Sequence, residues 1–345
     1  MVFCPGLMPE AVFAAEPQKR CEARHYTKSG SLRLKFVMFS YRHAFHAGNH
    51  ADVLKHTTLI AVLRHMTQKD TALNVFDTHA GAGLYRLDGD YAQTSGEAAD
   101  GYLKLIEAIA NAGLAGTDKT KATTHPALQD YLEMVASFNT GGGHKVYPGS
   151  PFIIHRLLQG RDRDRLKLFE LHPTDAKTLR ANITQLDAGR LITVLQEDSF
   201  EGLKKFLPPP SRRALVLCDP SYEMKSDYAR VVEMMTDAVK RFATGTYMVW
   251  YPIIPRPEAH DLPRKLKTLA NREGKPWLNA TLTVKSSKLS TDDEGEIVRP
   301  GLPASGVFVI NPPHTLKATL VGALGQAAKF LAQDKNKAFE VESGG

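Results

Sequence analysis

Hydrophobic positions follow a helical period in the first strongly patterned part of the chain, residues 49–69. Val53, Ile60 and Leu63 recur at the spacing of a single helix face. Asn49 precedes them and is suited to cap the helix, because its side chain can accept a backbone N–H of the first turn. The pattern therefore predicts a helix with one buried face.

Short apolar runs then alternate with helical segments, which is typical of an α/β protein. Residues 86–145 interrupt this alternation with two helical stretches between glycine-rich and threonine-rich segments, and they predict a helical insertion. We expect an α/β fold with one seven-stranded sheet. The seven predicted strands cover residues 72–76, 166–171, 191–196, 214–218, 246–251, 278–284 and 307–311.

Residues 1–37 show neither a helical nor a strand period and mix three prolines with scattered charge. They are interpreted as an extension outside the functional chain. The predicted organisation is a single domain over residues 38–345, with the helical insertion at about 86–145.

Composition adds little to the choice of function. The 44 lysines and arginines against 37 aspartates and glutamates give a net charge of +7, which mildly favours a polyanionic partner. Three cysteines without a C-x-x-C spacing support neither a disulfide framework nor a zinc ribbon. Apolar runs stay shorter than the roughly 18 residues of a membrane span. We therefore expect a cytoplasmic protein that is not embedded in a membrane.

Acidic residues stand at the ends of three successive predicted strands: Asp77, Glu170 and Asp198. Ligands of open α/β sheets bind at the carboxyl ends of the strands, so three acids there indicate a binding site. Glu170 is suited to accept both hydroxyls of a ribose, and Asp198 to accept an adenine amine. The alternative is that such an acid caps the following helix.

Asp77 opens the turn D-T-H-A-G-A-G, in which Gly81 and Gly83 let the backbone approach a ligand closely. An ordinary tight turn is the alternative. Arg86 occupies the position where the dinucleotide fingerprint has its third glycine, which disfavours a nicotinamide-dependent dehydrogenase. Four histidines, His43, His46, His50 and His56, crowd the preceding segment. Their spacing matches no common zinc site, and no metal is expected.

D-P-S-Y follows the fourth predicted strand as residues 219–222 and resembles the D-P-P-Y motif of class I methyltransferases that act on adenine N6. For that reaction, Asp219 and the Pro220 carbonyl could accept the hydrogens of the amine. Tyr222 could stack on a base turned out of its helix, although a proline turn with a core tyrosine is the simpler alternative.

Longer motifs narrow the resemblance to one family. S-Y-R-H-A-F-H-A-G-N-H-A-D-V-L-K-H at residues 40–56 is unusual, and together with Y-P-G-S-P, E-L-H-P and K-R-F-A-T-G-T-Y it resembles the RlmJ family. That family methylates N6 of an adenine in 23S ribosomal RNA. The resemblance implies a Rossmann-like class I methyltransferase sheet, S-adenosyl-L-methionine as cofactor and 23S ribosomal RNA as partner. We expect the protein to act as a monomer.

The resemblance also implies roles for individual residues. Asp219, Pro220 and Tyr222 would be catalytic, and Tyr41, His43, Lys55 and Tyr222 would serve the substrate. The cofactor would be bound by His56, Asp77, His79, Gly81, Gly83, Ser150, Glu170, Asp198, Ser199 and Asp219. Ser221 stands where the family motif usually has its second proline, and Ser199 stands where the family commonly has glycine. Neither departure removes a proposed acceptor, so they bear on the rate of the reaction more than on its type. The alternatives are a DNA adenine-N6 methyltransferase and a noncatalytic RNA-binding protein on the same fold.

Overall fold

The structure, a computed structural model, describes residues 46–88, 97–114, 124–288, 290–291, 297–298 and 301–345. The predicted extension, residues 1–37, and the proposed substrate residues Tyr41 and His43 lie outside the described residues. Within these ranges, no helix combines the length and the apolar character needed to cross a membrane.

One large mixed sheet forms the centre of the structure. Its strands lie in the spatial order β8-β6-β7-β5-β4-β1-β2-β3. Strands β1 to β5 pair parallel with one another, whereas β7 pairs antiparallel with β5 and β6, and β8 pairs antiparallel with β6. The strands are β1 (Asn74–Asp77), β2 (Arg165–Phe169), β3 (Ile192–Leu195), β4 (Ala214–Cys218), β5 (Thr246–Ile253), β6 (Trp277–Thr283), β7 (Ala304–Ile310) and β8 (Ala338–Gly344).

Among the residues that the structure describes, the sheet has eight strands, so the prediction of seven is wrong by one. The seven predicted strands are present, and β8 adds an edge strand whose partner within the described ranges is β6. Because an edge strand has a neighbouring strand on one side only, most residues of β8 are exposed and form no buried apolar run. Phe339 and Val341 do alternate with Glu340 and Glu342, which is a weak strand signal.

Helices cover both faces of the sheet, and the sheet separates two apolar cores. Small additional strand pairs join Leu84–Arg86 to Val146–Pro148 and Ser290–Thr291 to Ile297–Val298. The helices are α1 (His50–Met66), α2 (Tyr102–Leu114), α3 (Pro126–Ala136), α4 (Ser150–Leu158), α5 (Pro173–Thr184), α6 (Ser199–Gly202), α7 (Lys225–Arg241), α8 (Pro257–Arg272) and α9 (Leu316–Phe330).

Helix α1 is the predicted first helix, and its predicted cap is confirmed. The side chain of Asn49 accepts hydrogen bonds of 3.0 Å from the backbone N–H groups of Ala51 and Asp52. The helix is buried on nearly all sides, since it packs against α3, α4, α9 and β7. Its polar side chains, including Lys55, must therefore find partners inside the protein.

The order of the strands reverses at β1, which has β2 and β3 on one side and β4 and β5 on the other. At such a reversal, the loops leaving neighbouring strands diverge and open a crevice at the carboxyl edge of the sheet. Asp77 ends β1, Glu170 and Asp219 directly follow β2 and β4, and Asp198 lies three residues after β3, all at this edge. The fold therefore brings the predicted strand-end acids to one side of the molecule.

Candidate active site

The turn after β1 is closely packed around its two glycines. Gly81 and Gly83 have φ angles of +59° and +83°, which favour glycine. A Cβ on Gly83 would lie 2.8 Å from the Phe152 ring and 2.9 Å from Leu179 Cδ1. A Cβ on Gly81 would lie 2.4 Å from the hydroxyl oxygen of Tyr85. Both positions therefore require glycine for space as well as for conformation.

Asp77 ends β1 and is fully buried. Ser150 Oγ, at the start of α4, donates a 2.7 Å hydrogen bond to its Oδ2 atom. Burial raises the pKa of Asp77 to about 6. The structure thus joins two of the predicted cofactor residues, Asp77 and Ser150, in one hydrogen bond.

Glu170 follows β2 and faces the same turn. Its carboxylate accepts a 2.8 Å bond from Gly81 N and a 2.6 Å bond from His172 N. Burial raises the pKa of Glu170 to about 7. A carboxylate offers about four acceptor positions, so two remain after these backbone bonds. The neighbouring side chain of Leu171 is 44% exposed and provides apolar surface next to them.

Asp198 follows β3 and has two partners. It caps α6 by accepting a 3.0 Å bond from Phe200 N, as the alternative interpretation expected, and its Oδ2 lies 2.5 Å from Arg230 Nη2. The Arg230 guanidinium lies 4.1 Å from the centre of the Phe200 ring. That ring in turn makes an edge contact with His79 at 5.2 Å. Together these side chains form one wall of the crevice.

His79 is uncharged in this wall. Burial lowers its pKa to about 4, and its Nδ1 lies 2.8 Å from Thr78 Oγ1. Ser199, another predicted cofactor residue, is buried as the first residue of α6. The neutral ring of His79 can therefore contact a ligand without adding positive charge.

Asp219, directly after β4, is bonded to a buried lysine. Lys55 Nζ lies 2.5 Å from Asp219 Oδ2 and 2.8 Å from Asp52 Oδ1. The Lys55 side chain is 5% exposed and that of Asp219 is 14% exposed. Burial alone lowers the pKa of Lys55, but the two carboxylates outweigh burial and raise this pKa above its usual value. Lys55 is therefore a permanent cation that fixes the Asp219 carboxylate.

The remainder of D-P-S-Y forms a firmly held turn. Tyr222 has a φ of +54°, its hydroxyl donates a 2.7 Å bond to Trp250 O, and its carbonyl accepts a 2.9 Å bond from Arg256 Nη1. Its ring packs on Tyr228 at 4.6 Å, and the residue is 2% exposed. Stacking of Tyr222 on a substrate base thus requires one ring face to be uncovered, and the role stays a prediction. The role of the Pro220 carbonyl also stays a prediction.

His56 is buried on α1, where it contacts Tyr147 and Asp52. Its Nδ1 is 2.9 Å from the Tyr147 hydroxyl, its Nε2 is 3.9 Å from Asp52 Oδ1, and it is 1% exposed. This arrangement matches the buried, hydrogen-bonded histidine that the sequence left open as the alternative. Direct contact of His56 with a cofactor remains a prediction.

The sequence did not single out several residues that line the crevice. Asp52 carried a signal, because its spacing of three from Lys55 on a helix suits an ion pair. Phe200 and Arg230 are close only because α6 and α7 pack at the same edge. Within the described part of the chain, no group of three or more His, Cys, Asp and Glu side chains could hold a metal ion.

Two known proteins that are similar to this chain over most of its length carry the same name. The chain is 39% identical to ribosomal RNA large subunit methyltransferase J of Escherichia coli over 83% of its length and 92% of the relative. It is 37% identical to the Haemophilus influenzae protein of that name, over 88% of this chain and 98% of the relative. A crystal structure of a Legionella pneumophila protein superposes with a TM-score of 0.72 at 28% identity, covering 87% of this chain and 98% of the other.

The family model described as ribosomal RNA large subunit methyltransferase D, RlmJ, matches residues 70–342. This match extends from the segment before β1 into β8, so it includes β1 to β7, most of β8 and the strand-end carboxylates. The chain therefore belongs to the RlmJ family of ribosomal RNA large subunit methyltransferases.

Proposed function

We propose that this protein transfers a methyl group from S-adenosyl-L-methionine to the N6 amine of an adenine in 23S ribosomal RNA. Family membership supports the reaction class, and the names of the relatives support large-subunit ribosomal RNA as the substrate. The position of Asp219 supports an adenine amine as the target, because Asp219 begins D-P-S-Y at the carboxyl edge of the sheet and is fixed by Lys55.

The residues at this edge fit the proposed cofactor. Glu170 has acceptor positions suited to two ribose hydroxyls, and Leu171 and Phe200 offer apolar surface to a flat adenine ring. The carboxylates of Asp77 and Asp219 suit the positive charge of a sulfonium group. When bound, S-adenosyl-L-methionine would supply an electrophilic methyl group at this edge.

Asp219 would hold the target amine in the direction of attack. Its Oδ2 is taken by Lys55, which leaves Oδ1 to accept one hydrogen of the amine. The Pro220 carbonyl would accept the other hydrogen, so that the nitrogen lone pair is freed from conjugation with the adenine ring. Lys55 itself cannot act as a base, because its raised pKa keeps it protonated. Catalysis then rests on positioning, and the methylated amine releases its extra proton to water after transfer.

The decisive experiment is product analysis with the wild-type protein and with Asp219→Ala. Each would be incubated with labelled cofactor and either 23S ribosomal RNA or duplex DNA, and the nucleosides would be separated by mass spectrometry. We expect N6-methyladenosine from RNA with the wild type and at least about a hundredfold less with the variant. Methylation of DNA in preference to RNA would contradict the proposed substrate. A protein that binds RNA and yields no methylated nucleoside would contradict the proposed reaction.

The cytoplasmic location and the monomeric state are parts of the same proposal. Ribosomal RNA as substrate supports the location, and light scattering of the purified protein would check the monomer. A stable dimer would leave the reaction unchanged but contradict the predicted state.

A further inference from the structure

Met224 exposes 62% of its surface, more than any other large apolar side chain among the residues that the structure describes. It follows D-P-S-Y by two positions, and its neighbours Glu223 and Lys225 are also exposed. Single exposed apolar residues are common and need no explanation by themselves. The place of this one matters, because it protrudes from the loop that begins at Asp219.

The base of this loop is held rigidly. Tyr222 is anchored at both its hydroxyl and its carbonyl, by Trp250 O and Arg256 Nη1. Met224 then takes an extended backbone conformation, with φ −80° and ψ 127°, and caps helix α7. The methionine side chain is thus presented from a fixed platform between Asp219 and a long helix.

The other exposed apolar side chains do not share this position. Leu171 adjoins Glu170 and belongs to the proposed cofactor surface. Val321 lies on α9, and Phe339 lies on β8, which is four strands away from β4 in the sheet. Among the described residues, Met224 is therefore the exposed apolar side chain that adjoins the proposed target-base position.

The proposed reaction creates a need for such a group. An adenine can reach Asp219 only after it leaves its stack, and the vacated space then exposes the faces of the neighbouring bases. Proteins that open base steps frequently insert an apolar side chain between the bases. Methionine is well suited, because it is unbranched and its sulfur packs favourably against aromatic rings.

Lys225 complements the apolar side chain with charge. Its side chain is 73% exposed, and its Nζ lies 3.8 Å from Glu258 Oε1. An exposed pair of this kind contributes little to stability, so the ammonium group is available to a phosphate. An apolar tip followed directly by a cation matches the base stack and backbone of a nucleic acid.

We propose that Met224 enters the RNA stack as a wedge when the target adenine turns out toward Asp219, while Lys225 contacts a neighbouring phosphate. This inference rests on the proposed function and assigns a positioning role to Met224, since the side chain would act on the neighbouring bases and not on the amine. It predicts that loss of the Met224 side chain slows methyl transfer more when the target adenine is more firmly stacked.

The test compares two RNAs that carry the same target adenine. In one RNA the adenine is paired within a helix, and in the other the opposite nucleotide is abasic. Single-turnover methyl transfer at saturating cofactor would be measured for the wild type, Met224→Ala and Met224→Leu, with Val321→Ala as a control for loss of an exposed apolar side chain. We expect Met224→Ala to be slower by about tenfold on the paired RNA and by less than about twofold on the abasic RNA. Met224→Leu and Val321→Ala should remain near the wild type on both.

A second measurement follows base extrusion without catalysis. With 2-aminopurine in place of the target adenine, binding of the wild type should raise the fluorescence, and Met224→Ala should give a much smaller rise. Equal rates of Met224→Ala and the wild type on the paired RNA would overturn the wedge, as would equal losses on both RNAs. A wild type that methylates only the abasic RNA would also overturn it. Absence of methylation of either RNA by the wild type would instead refute the proposed function.

Discussion

Lys55 on α1 donates a 2.5 Å hydrogen bond to Asp219 at the end of β4, across 164 positions of sequence. The same ammonium group lies 2.8 Å from Asp52, so one buried cation serves two carboxylates. The Asp219 carboxylate is thereby fixed with one oxygen occupied and the other left for a substrate. This arrangement makes Lys55 a positioning residue in the proposed reaction.

Lys55→Ala should therefore lower turnover much more than cofactor affinity. The variant leaves two buried carboxylates without their cation, and loss of one partner of such a pair costs about 3–5 kcal/mol of folding stability. The folded variant should transfer methyl about a hundredfold more slowly, measured in a single turnover at saturating cofactor. Asp52→Asn is the matched control, because it keeps the Lys55–Asp219 bond and should be the milder change. Normal transfer by folded Lys55→Ala would exclude the positioning role.

Asp219→Asn should be less damaging than Asp219→Ala. With the amide nitrogen turned toward Lys55, the amide oxygen can still accept the hydrogen of the amine, although the bond from Lys55 is lost. Alanine removes the acceptor itself, and loss of one such group costs about a hundredfold or more in rate. Cofactor binding, measured by calorimetry, should change far less. Combining Lys55→Ala with Asp219→Ala should add little to the single change, because the two residues act as a unit. Fully multiplicative losses would show that they act independently.

The pH dependence of cofactor affinity should report on Glu170. Burial raises its pKa to about 7, and hydroxyl donors bind the ionised form better, so affinity should rise with pH through about 7 and level off above it. A site that requires ionised Glu170 should bind S-adenosylhomocysteine about tenfold more weakly at pH 6 than at pH 8. Calorimetry of Glu170→Gln over the same pH range is the control, because any pH dependence of affinity that remains in this variant comes from other titrating groups. The same slope in both proteins would show that Glu170 does not bind the ribose.

Arg230→Gln should weaken binding of the cofactor product. The change removes the ion pair that orients Asp198 and the cation that covers the Phe200 ring. We expect about tenfold weaker binding of S-adenosylhomocysteine, the scale of one charge-assisted bond. Arg241→Gln, on the same helix and paired with exposed Asp237, is the control and should have no effect. Equal affinities of the two variants would contradict a role for this wall.

Gly81→Ala should destabilise the protein more than Gly189→Ala. Both glycines have a positive φ, +59° and +54°, and a side chain there costs about 1–2 kcal/mol. A Cβ at Gly81 would also lie 2.4 Å from the Tyr85 hydroxyl, whereas nothing lies within 4 Å of one at Gly189. Chemical denaturation would measure the difference, and Tyr85→Phe should recover part of it. Equal losses at the two glycines would contradict this account of crowding.

Much of the fold followed from local patterns. The alternation of apolar runs and helical periods predicted the parallel strands, and Asn49 predicted the start of α1, because capping and side-chain periodicity act within a few residues. Strand β8 was missed, since an edge strand needs no buried apolar run and its pairing with β6 depends on residues far away in sequence.

The strand-end acids show where local information stops. Their shared edge could be predicted, because parallel strands place their carboxyl ends together. Their partners could not: the ion pair of Lys55 with Asp219 and that of Arg230 with Asp198 depend on how helices pack over the sheet. The same packing buries the Tyr222 ring that the motif alone would present to a base. The sequence thus determined which groups reach the site, and tertiary packing decided which of them are paired, buried or exposed, since desolvation and side-chain contact arise only between distant segments.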